Sequence, residues 1–159
     1  MKRVLIFGNS GSGKSTLAKK LAAENQLAHL DLDTVAWQAT TPVTRMPIEE
    51  SKALLDDFTA ENDNWVIEGC YADLLELLTP VASEMIFMNL PVEACIANAK
   101  ARPWEPHKYE SKAAQDANLD MLIDWIAQYT KRDDTFSQRA HQQLFDSFTG
   151  VKRLITCNS

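Results

Sequence analysis

Gly8-Asn9-Ser10-Gly11-Ser12-Gly13-Lys14-Ser15-Thr16 fits the pattern G-x-x-x-x-G-K-[ST] at every fixed position. Each residue type has its own reason to be there. Glycines let the backbone curl into a nest whose N–H groups converge on phosphate oxygens. A helix that starts at the end of the nest turns its free N–H groups and positive end toward the same anion. Lys14 reaches the terminal phosphates as a point charge, and the Ser15 hydroxyl is placed to ligand Mg²⁺. The competing explanation is an ordinary glycine turn. Against it, the chain has only five glycines, and three of them are Gly8, Gly11 and Gly13. The stretch also lies between a strand signal and a helix signal, the context that a phosphate loop requires. It is read as a nucleotide-binding phosphate loop.

Before it, Lys2-Arg3-Val4-Leu5-Ile6-Phe7 has the apolar, β-branched and aromatic make-up of a buried parallel strand. After it, Leu17, Ala18, Leu21 and Ala22 recur at helical spacing between Lys14 and Glu24. Residues 27–32 read as a second strand, ending at the acidic pair Asp31 and Asp33, and residues 38–47 read as a loop. Ile48, Ser51, Leu55 and Phe58 mark an amphipathic helix. Trp65-Val66-Ile67 and Met85-Ile86-Phe87-Met88 are third and fourth strands, and Pro91 suits the first turn of a helix running to about Arg102. Leu119, Leu122, Ile123 and Ile126 form one further helix stripe, and Phe136, Ala140, Leu144 and Phe148 another, before a fifth strand at 151–156.

Strands alternating with helices predict an α/β fold in three layers, with a parallel sheet covered on both faces. At 159 residues the chain is one domain. The segment from about 103 to 131 is polar and lacks a strand signal, so it is expected as a helical, lid-like insertion. With 45% hydrophobic and 24% charged residues, the composition excludes disorder and fibrous classes. A net charge of -6 speaks against binding duplex DNA or an anionic membrane surface. The three cysteines, Cys70, Cys95 and Cys157, form no Cys-x-x-Cys pair, so neither a zinc site nor a disulfide framework is expected. No apolar run approaches the length of a membrane span, and the run at 4–7 is too short for a signal peptide. A cytoplasmic protein, monomeric or weakly dimeric, is expected.

The chain resembles the small P-loop kinases of the nucleoside-monophosphate and shikimate kinase type. It is most similar to bacterial proteins labelled adenylate-kinase-related or topology-modulation proteins. The residues that carry the resemblance are the phosphate loop, His29-Leu30-Asp31-Leu32-Asp33 with Trp37, and Asn64-Trp65-Val66-Ile67-Glu68-Gly69-Cys70-Tyr71. A weaker echo is Tyr129-Thr130-Lys131-Arg132-Asp133-Asp134 with Phe136 and Arg139. The resemblance implies a P-loop NTPase sandwich whose five strands follow the order 2-3-1-4-5.

It also implies roles for particular side chains. Asp33 would contact the acceptor and Asp31 would be linked to Mg²⁺, although both could be solvated carboxylates capping the next helix. Glu68 stands where adenylate-kinase-like proteins usually carry Asp before Gly, and is assigned a metal or base role. Arg102 would face ATP from the start of the lid. One of Lys131, Arg132 and Arg139 would hold the transferring phosphate, with Arg132 favoured; a solvated pair with Asp133 and Asp134 is the alternative. Trp37, Tyr71, Trp104 and His107 are weaker candidates for an acceptor pocket.

The function expected is transfer of phosphate from ATP, with Mg²⁺, to a small acceptor. Two alternatives stand beside it. One is a nucleotide-binding regulatory module with weak ATPase activity. The other is a nucleoside-monophosphate kinase, disfavoured because Arg45 is the only arginine in the loop that follows the second strand.

Overall fold

The computed structural model describes residues 1–38 and 42–158. In chain order its first elements are β1 (Arg3–Gly8), α1 (Lys14–Asn25), β2 (Ala28–Asp31), α2 (Asp33–Ala36), β3 (Trp37–Gln38), β4 (Thr44–Arg45) and α3 (Ile48–Glu61). They are followed by β5 (Trp65–Gly69), α4 (Ala72–Leu78), β6 (Glu84–Met88), α5 (Val92–Ala101), α6 (Lys112–Ala127), α7 (Gln138–Ser147) and β7 (Val151–Ile155). The main sheet runs β2-β5-β1-β6-β7 with every neighbouring pair parallel. Counted along the chain, its strands follow the expected order 2-3-1-4-5.

Period-two alternation divides the core. Val4, Ile6, Val66, Ile86 and Met88 face α1, α5 and α6, whose Ala18, Cys95, Ala99 and Ile126 are buried against them. Leu5, Phe7, Ile67, Met85 and Phe87 face the other way, toward Leu55 of α3, Leu74 and Leu75 of α4, and Leu144 and Phe145 of α7. The same alternation places functional groups. Glu68 follows Val66 by two and therefore lies on the α1 side, level with the end of the phosphate loop. His29 and Asp31 share that side, because Ala28 and Leu30 pack into the opposite core.

Two local features differ from expectation. The expected loop over 38–47 contains β4, which pairs antiparallel with β3 (Trp37 opposite Arg45, Gln38 opposite Thr44). Two-residue strands have no periodicity to detect, and residues 39–41 lie outside the described residues. Helix α4 was not anticipated, although Leu74, Leu75 and Leu78 have helical spacing. The helix stripe expected within the insertion is α6, and its Leu119, Leu122 and Ile126 pack into the core. Helix α6 starts where Ser111 Oγ accepts a hydrogen bond from the Ala114 N–H at 3.1 Å, and Ile126 at its other end is fully buried. No described helix is long and apolar enough to cross a membrane.

His141 of α7 makes a prediction about stability. It is fully buried; Tyr129 donates its hydroxyl to Nδ1 at 2.7 Å, and Nε2–H donates to Cys70 O at 2.8 Å. Burial among the Phe7 and Phe87 rings, with the Lys14 charge adding to it, outweighs the Cys70 carbonyl and depresses its pKa to about 4. The unfolded chain then binds the proton that the folded chain refuses. Stability is complete above the unfolded value near 6.5 and is lost as pH falls toward 4. Urea unfolding should show this group costing about 2 kcal/mol between pH 7.5 and pH 5. A His141→Gln variant should have a flatter profile; equal slopes would refute the assignment.

Candidate active site

The phosphate loop joins the end of β1 to the first turn of α1. Gly11 and Gly13 adopt φ of 79° and 92°, a region that side chains disfavour. At Gly11 a Cβ would also lie 2.5 Å from the Cys95 carbonyl oxygen. Three asparagines tie the loop to its surroundings, two from outside and one from within it. Asn98 Nδ2 donates to Gly11 O at 2.8 Å, Asn158 Nδ2 to Ser12 O at 3.0 Å, and buried Asn9 donates its own Nδ2 to Ile126 O at 3.1 Å. Ser12 Oγ is buried within the loop with no hydrogen-bond partner among the described residues. Lys14 folds back so that Nζ donates to Asn9 O at 2.7 Å, and Thr16 is exposed on α1.

Glu68 is the buried acid of this site, 2% exposed. Its Oε2 accepts two hydrogen bonds, from Ser15 Oγ at 2.7 Å and from His29 Nε2–H at 3.0 Å, the imidazole proton being assigned from its carboxylate partner. Burial alone would raise the carboxyl's pKa. The two donors and the nearby Lys14 charge outweigh burial and hold it below the ordinary glutamate value. The group is therefore a carboxylate at neutral pH, in contact with the hydroxyl that follows Lys14.

Asp31 and Asp33 are separated by the turn at Leu32. Asp31 ends β2, and its Oδ1 accepts the Asp33 N–H at 2.9 Å, so it satisfies a free donor of α2. Its pKa is raised, first by burial, then by Glu68 and Asp33. Asp33 points elsewhere. Its Oδ1 accepts a short hydrogen bond from the Tyr71 hydroxyl, which in turn accepts Trp37 Nε1–H at 2.8 Å. Its Oδ2 lies 3.6 Å from Lys108 Nζ. Burial works against the Lys108 charge, but Asp33, Glu105 and Asp31 outweigh it and raise its pKa. Arg45 is held among the Trp37, Tyr71 and Phe136 rings and pairs with Asp73 at 3.1 Å.

The remaining cations do not meet the loop in this structure. Arg102 caps α5 and pairs with Glu105 at 3.2 Å, within the insertion itself. Arg132 stacks on Trp125, its guanidinium 3.4 Å from the ring centroid, and donates to Trp125 O, while its second terminal nitrogen is buried without a partner among the described residues. Lys131 is exposed, and Arg139 pairs with Asp133 on the surface. His107 and Trp104 are exposed, the latter donating its indole N–H to Tyr109 O. The structure thus brings together the loop, Ser15 and Glu68, and beside them Asp31, Asp33, Tyr71 and Trp37.

Sequence reasoning assigned no role to His29 or Lys108. His29 had a signal, since it shares a strand face with Asp31. Lys108 had none, because its approach to Asp33 depends on how the 102–111 turn folds over.

With this geometry in view, comparison with known proteins decides the family. A family model described as AAA domain matches residues 4–120. The chain belongs to the AAA domain family. Within the wider range of relatives, the uncharacterised protein YqaC of Bacillus subtilis is 25% identical over 130 residues, which is 80% of this chain and 72% of YqaC. A Janibacter sugar kinase has the same fold, with a TM-score of 0.51 and 18% identity over 92% of this chain and 91% of that one. A shikimate kinase from Bacteroides thetaiotaomicron aligns over 91% of this chain and 97% of its own, at 18% identity and a TM-score of 0.48. The AAA domain match includes the phosphate loop, Asp31, Asp33 and Glu68. The protein is thus a nucleotide-binding P-loop NTPase by family and fold.

The residues at the loop fit Mg²⁺. Oxygen donors stand beside it: Ser15 Oγ, the Glu68 carboxylate and, next to them, Asp31. Among the described residues no three His, Cys, Asp or Glu side chains gather as a metal cage. Mg²⁺ needs no such cage, because it is held by one or two protein groups together with phosphates and waters.

Proposed function

We propose that this AAA domain protein is an ATP- and Mg²⁺-dependent kinase of a small-molecule acceptor. The observation that carries this reading is the separation of two carboxylates at the carboxyl ends of β2 and β5, where open parallel sheets bind ligands. Glu68 is tied to Ser15 at the phosphate loop, whereas Asp33 is tied to Tyr71 and Lys108 away from it. One carboxylate serves the metal side and the other the acceptor side. A nucleotide-binding module without transfer needs only the first.

In this reading the loop amides and Lys14 hold the β- and γ-phosphates, and Mg²⁺, when bound, would help neutralise their charge. Ser15, Glu68 and Asp31 would hold it, partly through water. Asp33 accepts the proton or hydrogen bond of the acceptor hydroxyl, oriented by Tyr71. Arg102 enters only if the insertion moves, and Arg132 only if its side chain leaves Trp125. The turn 103–117 is proposed as the moving lid, while the Ile126 end of α6 stays packed on the core. Closure would exclude the water that competes with the acceptor.

Release of ADP, measured across nucleotides, sugars, hydroxy acids and vitamins, tests the reading. At least one acceptor should stimulate turnover well above the acceptor-free rate. Tight ATP binding with no stimulation by any of them would favour the regulatory module. Hydrogen exchange tests the lid. A non-hydrolysable ATP analogue with an acceptor should protect residues 103–117 as well as the phosphate loop; protection confined to the loop would exclude closure.

A further inference from the structure

We propose that His29 is a positioning residue that holds Glu68 in place for the metal side of the site. The inference rests on the kinase reading only through the role of Glu68.

The carboxylate at the end of β5 is a glutamate and not the shorter aspartate. The longer side chain has an extra torsion, and ordering it costs more conformational entropy. A carboxylate meant to meet a metal or its water must nevertheless be held to within about 0.5 Å. Two groups hold it here, Ser15 at 2.7 Å and His29 at 3.0 Å, and both act on Oε2. Ser15 cannot be the lasting restraint. Its oxygen is the one that the phosphate-loop pattern assigns to Mg²⁺, and once turned to a metal its grip on Glu68 is no longer assured. His29 has no such second duty.

The backbone explains why His29 can do this. In the parallel pairing of β2 with β5, His29 lies opposite Val66 and Asp31 opposite Glu68. His29 is therefore the diagonal neighbour of Glu68 on the same sheet face, within reach of a ring as long as imidazole. Neither strand has to bend to make the contact. The Glu68 side chain is 3% exposed and that of His29 is 24% exposed, so the hydrogen bond is shielded from water at the carboxylate end. Removing such an outer-shell partner generally costs 10- to 100-fold in metal affinity.

The test is calorimetric binding of a non-hydrolysable ATP analogue with and without Mg²⁺, which needs no turnover. His29→Ala and His29→Phe, the second keeping a ring but no donor, should lower the Mg²⁺ enhancement of nucleotide affinity by about 10-fold or more. Metal-free affinity should be unchanged. His29→Gln, whose amide can donate over a similar reach, should restore most of the enhancement. Thermal melts identify a variant that fails to fold, and the remaining two then decide. Full enhancement in a folded donor-free variant, with Glu68→Gln abolishing it, would overturn the role of His29 and leave the kinase reading standing. Full enhancement in Glu68→Gln as well would overturn the metal role of Glu68, and this inference with it.

Discussion

Lys14→Ala should abolish phosphoryl transfer for practical purposes, with turnover falling on the order of 100- to 1,000-fold. Its ammonium is the cation built into the phosphate loop, one residue beyond the left-handed Gly13 that starts α1. Arg102 and Arg132 cannot substitute while they are tied to Glu105 and Trp125. The loss should also be visible in binding. Without the positive charge, the terminal phosphates rely on loop amides and the helix N-terminus alone, so ATP affinity should weaken together with turnover. The fold should survive, since the Lys14 side chain donates to the loop carbonyl of Asn9 at a partly buried position and is no part of the hydrophobic core. Calorimetry and a thermal melt on the same sample check both halves. Unchanged affinity for ATP with Mg²⁺ would mean that the loop does not bind phosphate as described.

Glu68→Gln should separate chemistry from binding. The substitution keeps the shape of the side chain and removes its charge. Turnover should fall on the order of 100-fold, the size expected when one pre-organised electrostatic group is lost from a buried site. Metal-free ATP affinity should change little, because Glu68 touches Ser15 and His29 and not the loop amides. The Ser15 and His29 donors, which already share Oε2, would then meet a neutral amide oxygen, a weaker acceptor than a carboxylate, so a modest loss of stability is expected. Steady-state turnover compared with calorimetric affinity decides the case. Unchanged turnover would reduce Glu68 to a strand-end carboxylate that happens to cap Ser15.

Both predictions use residues that were legible without coordinates, which reflects how a phosphate loop is built. Its chemistry is local: glycines, a lysine and a hydroxyl within nine consecutive residues, flanked by a strand and a helix. The alternation of strands and helices was equally plain, because buried parallel strands are continuous apolar runs and the covering helices show a 3.6-residue stripe. Elements too short for any period escaped, namely the β3–β4 hairpin and the four-residue helix α2.

The chain by itself therefore determined the phosphate loop, the α/β class and the acids at the ends of β2 and β5, since each depends on residues adjacent in sequence or on a short repeat. Only the tertiary structure decided which of those acids meets which partner. Glu68 lies 53 positions from Ser15 and 39 from His29, and their contacts arise from strand register and from the face on which alternate side chains emerge. Asp33 meets Tyr71, 38 positions away, and Lys108, because the Leu32 turn sends it away from Asp31 and the 102–111 turn folds above it. Arg102 and Arg132 show the same limit from the other side. Their charge was visible in the sequence, but whether a long cationic side chain faces a phosphate, a neighbouring glutamate or an indole ring is settled by the packing around it.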